Sequence, residues 1–364
     1  MRASIIIASH QEGDLLYKTV DSCVETCAGL DCEIIVSDDA STDGSVDQVA
    51  KHWPQVRVIR HETRQGASPA KASGARSARG DALVFLDGHT KPEPGAIQRL
   101  IEGVEALQGQ AILTPAVPSL DTARWRNLNS PVGHGYYVDL ETFACGWLGL
   151  DRMKAVVEQG RRYFESPALI GCALAIDRQL YDNLWGFDAR MQMWGAEDLD
   201  LGLKCWLMGA RILHDPEAVI GHRFRSSFDN YSVPTEHVVA NQLRMARKNF
   251  TQAIWTEWVE RCRDRHHVAL EDHPEGFWAV TWQLFEAERA SVEQERRYLL
   301  GRRLRDEFSY AKKFSLSWPA TQTSALASPL LAAAALDPSP MPSGSSGSSE
   351  TSSQSSNSSN SSSS

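Results

Sequence analysis

Up to residue 115, predicted strands alternate with amphipathic stretches. The strands lie at 3–9, 33–39, 56–61, 81–87 and 110–117, and the continuous apolar run at 3–9 is typical of a strand covered on both faces of a sheet. The stretches between them carry helical spacing or helix-capping residues, and they lie at 13–29, 41–53, 66–80 and 92–107. Strands that alternate with helices predict an α/β fold with a mostly parallel, doubly wound sheet.

The pattern changes after residue 115. Residues 116–235 are rich in glycine and aromatic side chains, which favours irregular loops and antiparallel strands that complete a cleft. Residues 236–320 predict a helical extension with charged faces. The serine-rich residues 337–364 have no apolar material to bury and predict a disordered tail. We therefore expect residues 1–115 and 116–235 to form two halves of one domain, followed by the extension and the tail.

Composition narrows the class of protein. The chain has 364 residues, of which 42% are apolar, and this is enough for a sizeable core. A formal charge of −9 argues against a nucleic-acid partner, which usually requires a basic surface. Seven scattered cysteines fit reduced thiols better than a disulfide framework, and the apolar runs are too short to span a bilayer. These features predict a cytoplasmic protein without a membrane anchor.

Polar residues follow the predicted strands at the edge where a doubly wound sheet binds its ligands. They are Ser9, Asp38, Asp39, Arg64, Asp87 and His89. Four strand ends thus bring polar groups to one edge of the sheet. This convergence makes all six residues candidates for ligand binding.

The segment VFLDGH ends a buried strand on a carboxylate and an imidazole. In an extended segment Asp87 and His89 point to the same side, so that both side chains can contact one ion. Mixed oxygen and nitrogen ligands suit Mn²⁺ and, less exclusively, Mg²⁺ or Zn²⁺. His222 follows a later apolar run and is a candidate third ligand. The alternative is that Asp87 caps the next helix and that His89 has no role.

A second group of candidates lies in the segment MWGAEDLDLGLKCWLMG. Trp194 and a Gly-Ala turn precede Glu197 and Asp198, which stand at the start of a helical pattern. A loop that enters a helix can lift a carboxylate into a cleft, where it binds or deprotonates a hydroxyl. The alternative is that both acids only stabilise the helix N-terminus through its dipole.

Seven segments, in order along residues 3–260, resemble the motifs of a known family. They are SIIIASHQEG, IIVSDDAS, HETRQG, VFLDGH, the block that ends in MQMWGAED, VIGHRFR and NYSVPTEHVVANQLRMA. The ordered set resembles GT-A-fold glycosyltransferases of the family 2 type, and most of all the catalytic domain of polypeptide N-acetylgalactosaminyltransferases. VFLDGH is similar to the Asp-x-His metal motif of these enzymes, and VIGHRFR to a segment whose histidine is the third metal ligand.

The resemblance implies a UDP-sugar donor and Mn²⁺ as cofactor, with Mg²⁺ as a second candidate. It implies that Asp87, His89 and His222 hold the metal. This requires His222 to lie within about 8 Å of Asp87, because ligand bonds of about 2 Å allow no wider gap. The other implied roles are uridine contacts from Asp39 and Arg64, donor-sugar and acceptor contacts from Trp194 and Glu197, and closure over the diphosphate by a loop with Arg225 and Tyr231.

Asp198 is the main departure from this family, whose members carry Asn or Gln at that position. A Glu-Asp pair is instead typical of inverting GT-A transferases, in which a carboxylate activates the acceptor. The overall resemblance implies retention of the donor's anomeric configuration, whereas Asp198 is compatible with inversion, and the sequence leaves both open. A one-residue difference in RSSFDNY also leaves the alignment of the closing loop open.

The sequence therefore predicts metal-dependent transfer of a hexose or N-acetylhexosamine from a UDP-sugar to a hydroxyl of a peptide, a glycan or a small molecule. Two alternatives stay open. One is a sugar nucleotidyltransferase, although ASHQEGD lacks the basic Gly-rich loop of that class. The other is a protein that binds a nucleotide sugar without catalysis. The serine-rich tail is either an acceptor for the enzyme itself or an inert extension.

Overall fold

A computed structural model describes residues 1–225, 231–268 and 276–316. Its strands are β1 (Ala3–Ser9), β2 (Cys32–Asp38), β3 (Arg57–Arg60), β4 (Ala82–Asp87), β5 (Thr90–Pro92), β6 (Ala111–Asp121), β7 (Arg126–Gly133), β8 (Gly135–Val138), β9 (Cys145–Leu148), β10 (Lys154–Glu158), β11 (Arg161–Glu165), β12 (Ala173–Asp177) and β13 (Arg211–His222). Its helices are α1 (Asp14–Thr26), α2 (Ser45–His52), α3 (Ala67–Ser77), α4 (Ala96–Leu107), α5 (Arg178–Asn183), α6 (Glu197–Leu207), α7 (Thr235–Asn249), α8 (Gln252–Val268), α9 (Gly276–Ala287), α10 (Arg289–Leu300) and α11 (Glu307–Phe314).

One mixed sheet organises the molecule, with strands in the order β10-β11-β13-β6-β12-β4-β1-β2-β3. The pairs β1–β2, β1–β4 and β2–β3 are parallel, which confirms the predicted doubly wound half. The chain leaves this half at β3 and re-enters it at β4, on the other side of β1. The carboxyl ends of β1, β2 and β4 therefore lie side by side at a topological switch point, where such sheets bind ligands.

Small residues let a helix approach this sheet closely. α3 is composed largely of Ala, Ser and Gly, and its residues 68–75 are buried. A Cβ added at Gly74 would lie 2.3 Å from the Cγ2 of Ile6 on β1, so only glycine fits at this contact. The small residues of α3 therefore allow it to pack tightly on the sheet.

The second half of the domain contains the predicted antiparallel strands. β12 inserts antiparallel between β4 and β6, and β10 and β11 extend the far edge of the sheet. β6 crosses residue 115, so both halves share one sheet. The division of the domain at 115 and 235 stays a prediction.

The predicted helix at 92–107 begins later in the structure. Residues 90–92 form β5, which pairs with the end of β13, and α4 starts at Ala96. Gly95 adopts φ 81°, a left-handed conformation that separates the short strand from the helix. The strand pairing overrides the helical pattern of this segment.

Helices α7 to α11 form the predicted extension within the described residues. Buried ion pairs join α7 to the rest of the domain: Arg244 and Lys248 donate to Asp188 at 2.8 and 2.7 Å, and Lys248 donates to Asp200 on α6 at 2.8 Å. Among the described helices, none is both long enough and apolar enough to cross a bilayer. Residues 226–230 of the closing loop, residues 269–275 and 317–320 of the extension, and the tail 337–364 lie outside the described residues.

Candidate active site

A cleft of about 320 Å³ opens at the carboxyl ends of β1, β2 and β4. It is lined by eleven of the twelve residues that the sequence singles out: Ser9, Asp39, Arg64, Asp87, His89, Trp194, Glu197, Asp198, His222, Arg225 and Tyr231. Asp38 is the exception. Its fully buried carboxylate accepts from the backbone N–H of Ser41 and pairs with Arg60 at 3.1 Å, so it shapes the turn behind the cleft.

Three metal-binding side chains meet at the floor of the cleft. The Nε2 atoms of His89 and His222 lie 3.0 Å apart, and His222 Nε2 lies 3.5 Å from Asp87 Oδ2. The required closeness of His222 to Asp87 is therefore met. Adjacent ligands of an octahedral ion with bonds of about 2.1 Å are separated by about 3 Å. The three donor atoms lie within 4.8 Å of one another, and their mixed nitrogen and oxygen chemistry fits Mn²⁺.

The protonation states of these side chains also suit a cation. Burial lowers the pKa of His222 to about 4. The nearby His89 and Arg225 add to this shift, and Asp87 opposes it. His222 is thus neutral at pH 7, as a metal ligand must be. Burial acts to raise the pKa of Asp87, but the Lys71 ammonium and a hydrogen bond with His222 outweigh it and hold this pKa well below its usual range.

Glu12 supports the metal site from behind, and the sequence analysis assigned it no role. Its Oε1 lies 2.9 Å from His89 Nδ1, and its Oε2 accepts from Arg225 Nη2. A proton held on Nδ1 by this carboxylate leaves the Nε2 lone pair free for an ion. A glutamate two residues after His10 in the β1 loop was the sequence signal for this role.

One wall of the cleft is built on Asp39. Its Oδ1 accepts from the Gln65 N–H at 2.8 Å, and its Oδ2 accepts from the Gly66 N–H at 2.7 Å. These bonds fix the loop that carries Arg64, whose guanidinium lies 4.6 Å from the ring centre of Tyr231 and donates to the Ser232 carbonyl at 2.8 Å. Arg64 and Tyr231 thus form a cationic and aromatic surface.

A strained loop presents the acidic pair at the start of α6. Met193, Gly195 and Ala196 all have positive φ, at 62°, 100° and 67°. The Met193 N–H donates to the Gln65 carbonyl at 2.7 Å, so the loop is fastened to the Arg64 segment. This geometry places Glu197 and Asp198 in the cleft wall as well as at the helix N-terminus, so the dipole explanation alone does not account for them.

Asp198 has an unusual environment for a carboxylic acid. Burial and the adjacent Glu197 carboxylate raise its pKa to about 7, and the Lys71 ammonium offsets only part of this effect. Gly171 packs directly on it, since an added Cβ there would lie 2.7 Å from Asp198 Oδ2. A carboxyl group with a pKa near 7 can both lose and hold a proton at neutral pH, as a general base requires.

Comparison with known proteins agrees with this geometry. The family model described as glycosyl transferase family 2 matches residues 4–185, and one described as the N-terminal domain of galactosyltransferase matches residues 151–225. Polypeptide N-acetylgalactosaminyltransferase 3 from Taeniopygia guttata is 30% identical over 254 residues, and that from Homo sapiens is 28% identical over 255 residues. These matches cover 67% of this chain and 41% and 40% of the two relatives, so the chain spans about two fifths of their length.

Solved structures share the architecture. A crystal structure of GalNAc-T7 with UDP, GalNAc and Mn²⁺ aligns with a TM-score of 0.58 and 22% identity, covering 80% of this chain and 57% of that one. A crystal structure of S. aureus TarS 1-349 with UDP-GlcNAc aligns with a TM-score of 0.52 and 15% identity, covering 83% and 91%. These likenesses confirm the predicted GT-A fold. The chain belongs to glycosyl transferase family 2, because the model of that family matches 182 of the 364 residues of the chain.

Proposed function

We propose that the protein transfers a hexose or N-acetylhexosamine from a UDP-sugar to an acceptor hydroxyl, with Mn²⁺ held by Asp87, His89 and His222. Mg²⁺ is a second candidate for the same ligands. The observation that carries this proposal is the meeting of three metal-binding side chains, from segments 133 residues apart, at the floor of a cleft. The two alternatives from the sequence, a nucleotidyltransferase and a non-catalytic binding protein, remain outcomes of the test below.

The donor end of the cleft has residues for each part of a nucleotide sugar. Asp39 and Arg64 form the wall where we place the uridine, and Ser9 Oγ is buried there without a hydrogen-bond partner among the described residues. Arg225 lies next to the metal ligands, where its charge meets that of a diphosphate. A divalent ion, when bound, supplies further positive charge to the departing UDP. The GalNAc-T7 crystals that contain UDP, GalNAc and Mn²⁺ support this assignment.

At the acceptor end, we propose that Asp198 removes the proton of the attacking hydroxyl and that transfer inverts the anomeric configuration. A base is needed opposite the leaving group for inversion, and the raised pKa of Asp198 suits this task. Trp194 and Glu197 line the same region of the cleft and are placed to contact the donor sugar and the acceptor. We propose peptide serine or threonine as the acceptor because the curated relatives are named polypeptide N-acetylgalactosaminyltransferases.

The test is a screen of UDP-sugars for UDP release with a panel of peptide, glycan and small-molecule acceptors, with Mn²⁺ and with a chelator. We expect release by the wild type with Mn²⁺ only, and a loss of at least about 100-fold in His89→Ala. His52→Ala removes an exposed imidazole on α2 and serves as the matched control. NMR of the product then reports its anomeric configuration, and retention would contradict the role of Asp198.

Other results separate the alternatives. Nucleotide binding without turnover of any donor would favour a non-catalytic protein. Pyrophosphate release from UTP and a sugar phosphate would favour a nucleotidyltransferase. A cytoplasmic location also stays a proposal, which the seven free thiols support. Modification of the serine-rich tail is tested by intact mass after incubation with the donor, and an unchanged mass would exclude it.

A further inference from the structure

Lys71 is a buried lysine in the wall of the cleft. It lies on α3, among the small residues that pack on the sheet, and its side chain is only 3% exposed. A lysine is almost never fully buried unless it is paired. Its ammonium affects the pKa values of Asp87 and Asp198, but no role in the reaction has been assigned to this residue, although a single cation in a stripe of small residues was visible in the sequence as ASPAKASGA.

The Lys71 ammonium joins three parts of the active site. Its Nζ donates to the Gly171 carbonyl at 3.0 Å and to Glu197 Oε1 at 3.3 Å, and it lies 3.8 Å from Asp87 Oδ1. These partners belong to the loop before β12, to the start of α6 and to the end of β4. One cation therefore contacts a carboxylate of the metal site and a carboxylate of the acceptor side.

We propose that Lys71 is a positioning residue which holds Glu197 in place for transfer and weakens the binding of the metal at Asp87. The first part follows because the buried carboxylate of Glu197 forms an ion pair with Lys71 at 3.3 Å. Loss of this pair frees the Glu197 side chain. The second part follows because a fixed positive charge beside a metal ligand repels an incoming cation. The inference rests on the proposed function, since it assumes the metal site.

The two parts of this proposal predict opposite changes in the Mn²⁺ affinity and in the kcat of a single variant. Lys71→Gln removes the charge and keeps a donor for the Gly171 carbonyl. We expect its Mn²⁺ affinity to rise by about tenfold or more, while kcat falls by about tenfold or more because Glu197 is no longer fixed. A residue that served only folding would lower both quantities together. Lys71→Arg keeps the charge and is expected to return the Mn²⁺ affinity to within about threefold of the wild type.

The experiment is a titration of the full chain with MnCl₂, without donor or acceptor, followed by calorimetry or by the EPR signal of free Mn²⁺. The variants are Lys71→Gln, Lys71→Met as a second neutral replacement, and Lys71→Arg. Lys204→Met is the matched control, because Lys204 is also buried and ion-paired, to Asp200 and Glu295, but does not line the cleft. We expect Lys204→Met to lose thermal stability and to keep the Mn²⁺ affinity of the wild type.

The outcomes separate this inference from the proposed function. No Mn²⁺ binding by the wild type would overturn the metal site itself. Binding by the wild type with equal or weaker binding by the neutral Lys71 variants, per folded molecule, would overturn the role of Lys71 alone. If neither neutral variant folds while Lys71→Arg does, Lys71 serves folding and the inference is also overturned.

Discussion

Asp198 makes the stability of the protein depend on pH in a way that can be measured. The carboxyl has an ordinary pKa of 3.8, and burial with the adjacent Glu197 raises it to about 7 in the folded protein. Between these values the folded state keeps a proton that the unfolded state releases, so stability falls as pH rises from about 4 to about 7. At pH 8 the ionisation of Asp198 lowers the free energy of unfolding by about 4 kcal/mol. This is an upper limit, because the side chain is partly exposed to the cleft.

Replacement of Asp198 by asparagine removes this cost and keeps the shape of the side chain. We expect the stability of Asp198→Asn relative to wild type to increase by about 2 to 3 kcal/mol from pH 5 to pH 8, since linkage makes the cost of ionising Asp198 grow over this range. The assay is urea denaturation of both proteins at the two pH values, without metal or donor. Asp182→Asn, at an exposed position on α5, is the control and is expected to show no such trend.

The comparison of two pH values cancels the fixed effects of asparagine on packing. A difference between the proteins that is the same at pH 5 and pH 8 would refute the reasoning, because it would mean that Asp198 titrates alike in the folded and unfolded states. The same variant is expected to lose transferase activity while it gains stability at pH 8. Such a trade-off is typical of acidic groups that are kept in a cleft for catalysis.

Two further changes test the support of the site. Glu12→Gln removes the charge that holds the Nδ1 proton of His89, and we expect Mn²⁺ affinity to fall by about 10- to 100-fold in a MnCl₂ titration; a change below about twofold would contradict this role. Gly66→Ala places a Cβ 2.2 Å from the Met193 carbonyl oxygen at φ 119°, and we expect a loss of about 3 kcal/mol in urea denaturation. Gly29→Ala, at φ 80° with open space around it, is the control and should cost only about 1 kcal/mol.

The sequence predicted those features that depend on local pattern. Apolar segments gave β1, β2 and β4 to within a residue or two, because strands buried on both faces have no polar alternation, and β3 was found although it is an edge strand that is only partly buried. Ser9, Asp39, Arg64, Asp87 and His89 were found because polar groups at successive strand ends share one edge, and the other residues that line the cleft were found from later motifs and from the family resemblance. Asp38 satisfied the same rule, yet its carboxylate turned back to Ser41 and Arg60. Adjacent positions on a strand end point to opposite sides, and the sequence does not say which side is the cleft.

The features that were missed depend on contacts between distant segments. Lys71 has its partners 16, 100 and 126 residues further along the chain, so its environment is decided by how α3, β4 and α6 pack together. The start of α4 was misplaced for the same reason. The helix was predicted from Pro92 onward, but pairing with the distant strand β13 makes Pro92 the end of β5, and α4 begins at Ala96.

The short strand β5 also explains why the metal ligands meet. Its antiparallel pairing with β13 sets His222 opposite Thr90, the residue after His89, and the Arg223 N–H donates to the His89 carbonyl at 3.2 Å. Hydrogen bonds of the backbone therefore fix the third ligand beside the first two before any ion arrives. β13 reaches this position because it pairs along its length with β6. β6 in turn runs from the first half of the domain, residues 1–115, into the second half, residues 116–235. The same pairing that completes the sheet thus brings together the three side chains of the proposed metal site. We expect an ion bound there to stabilise the joining of the two halves, since it would bind only when both are folded.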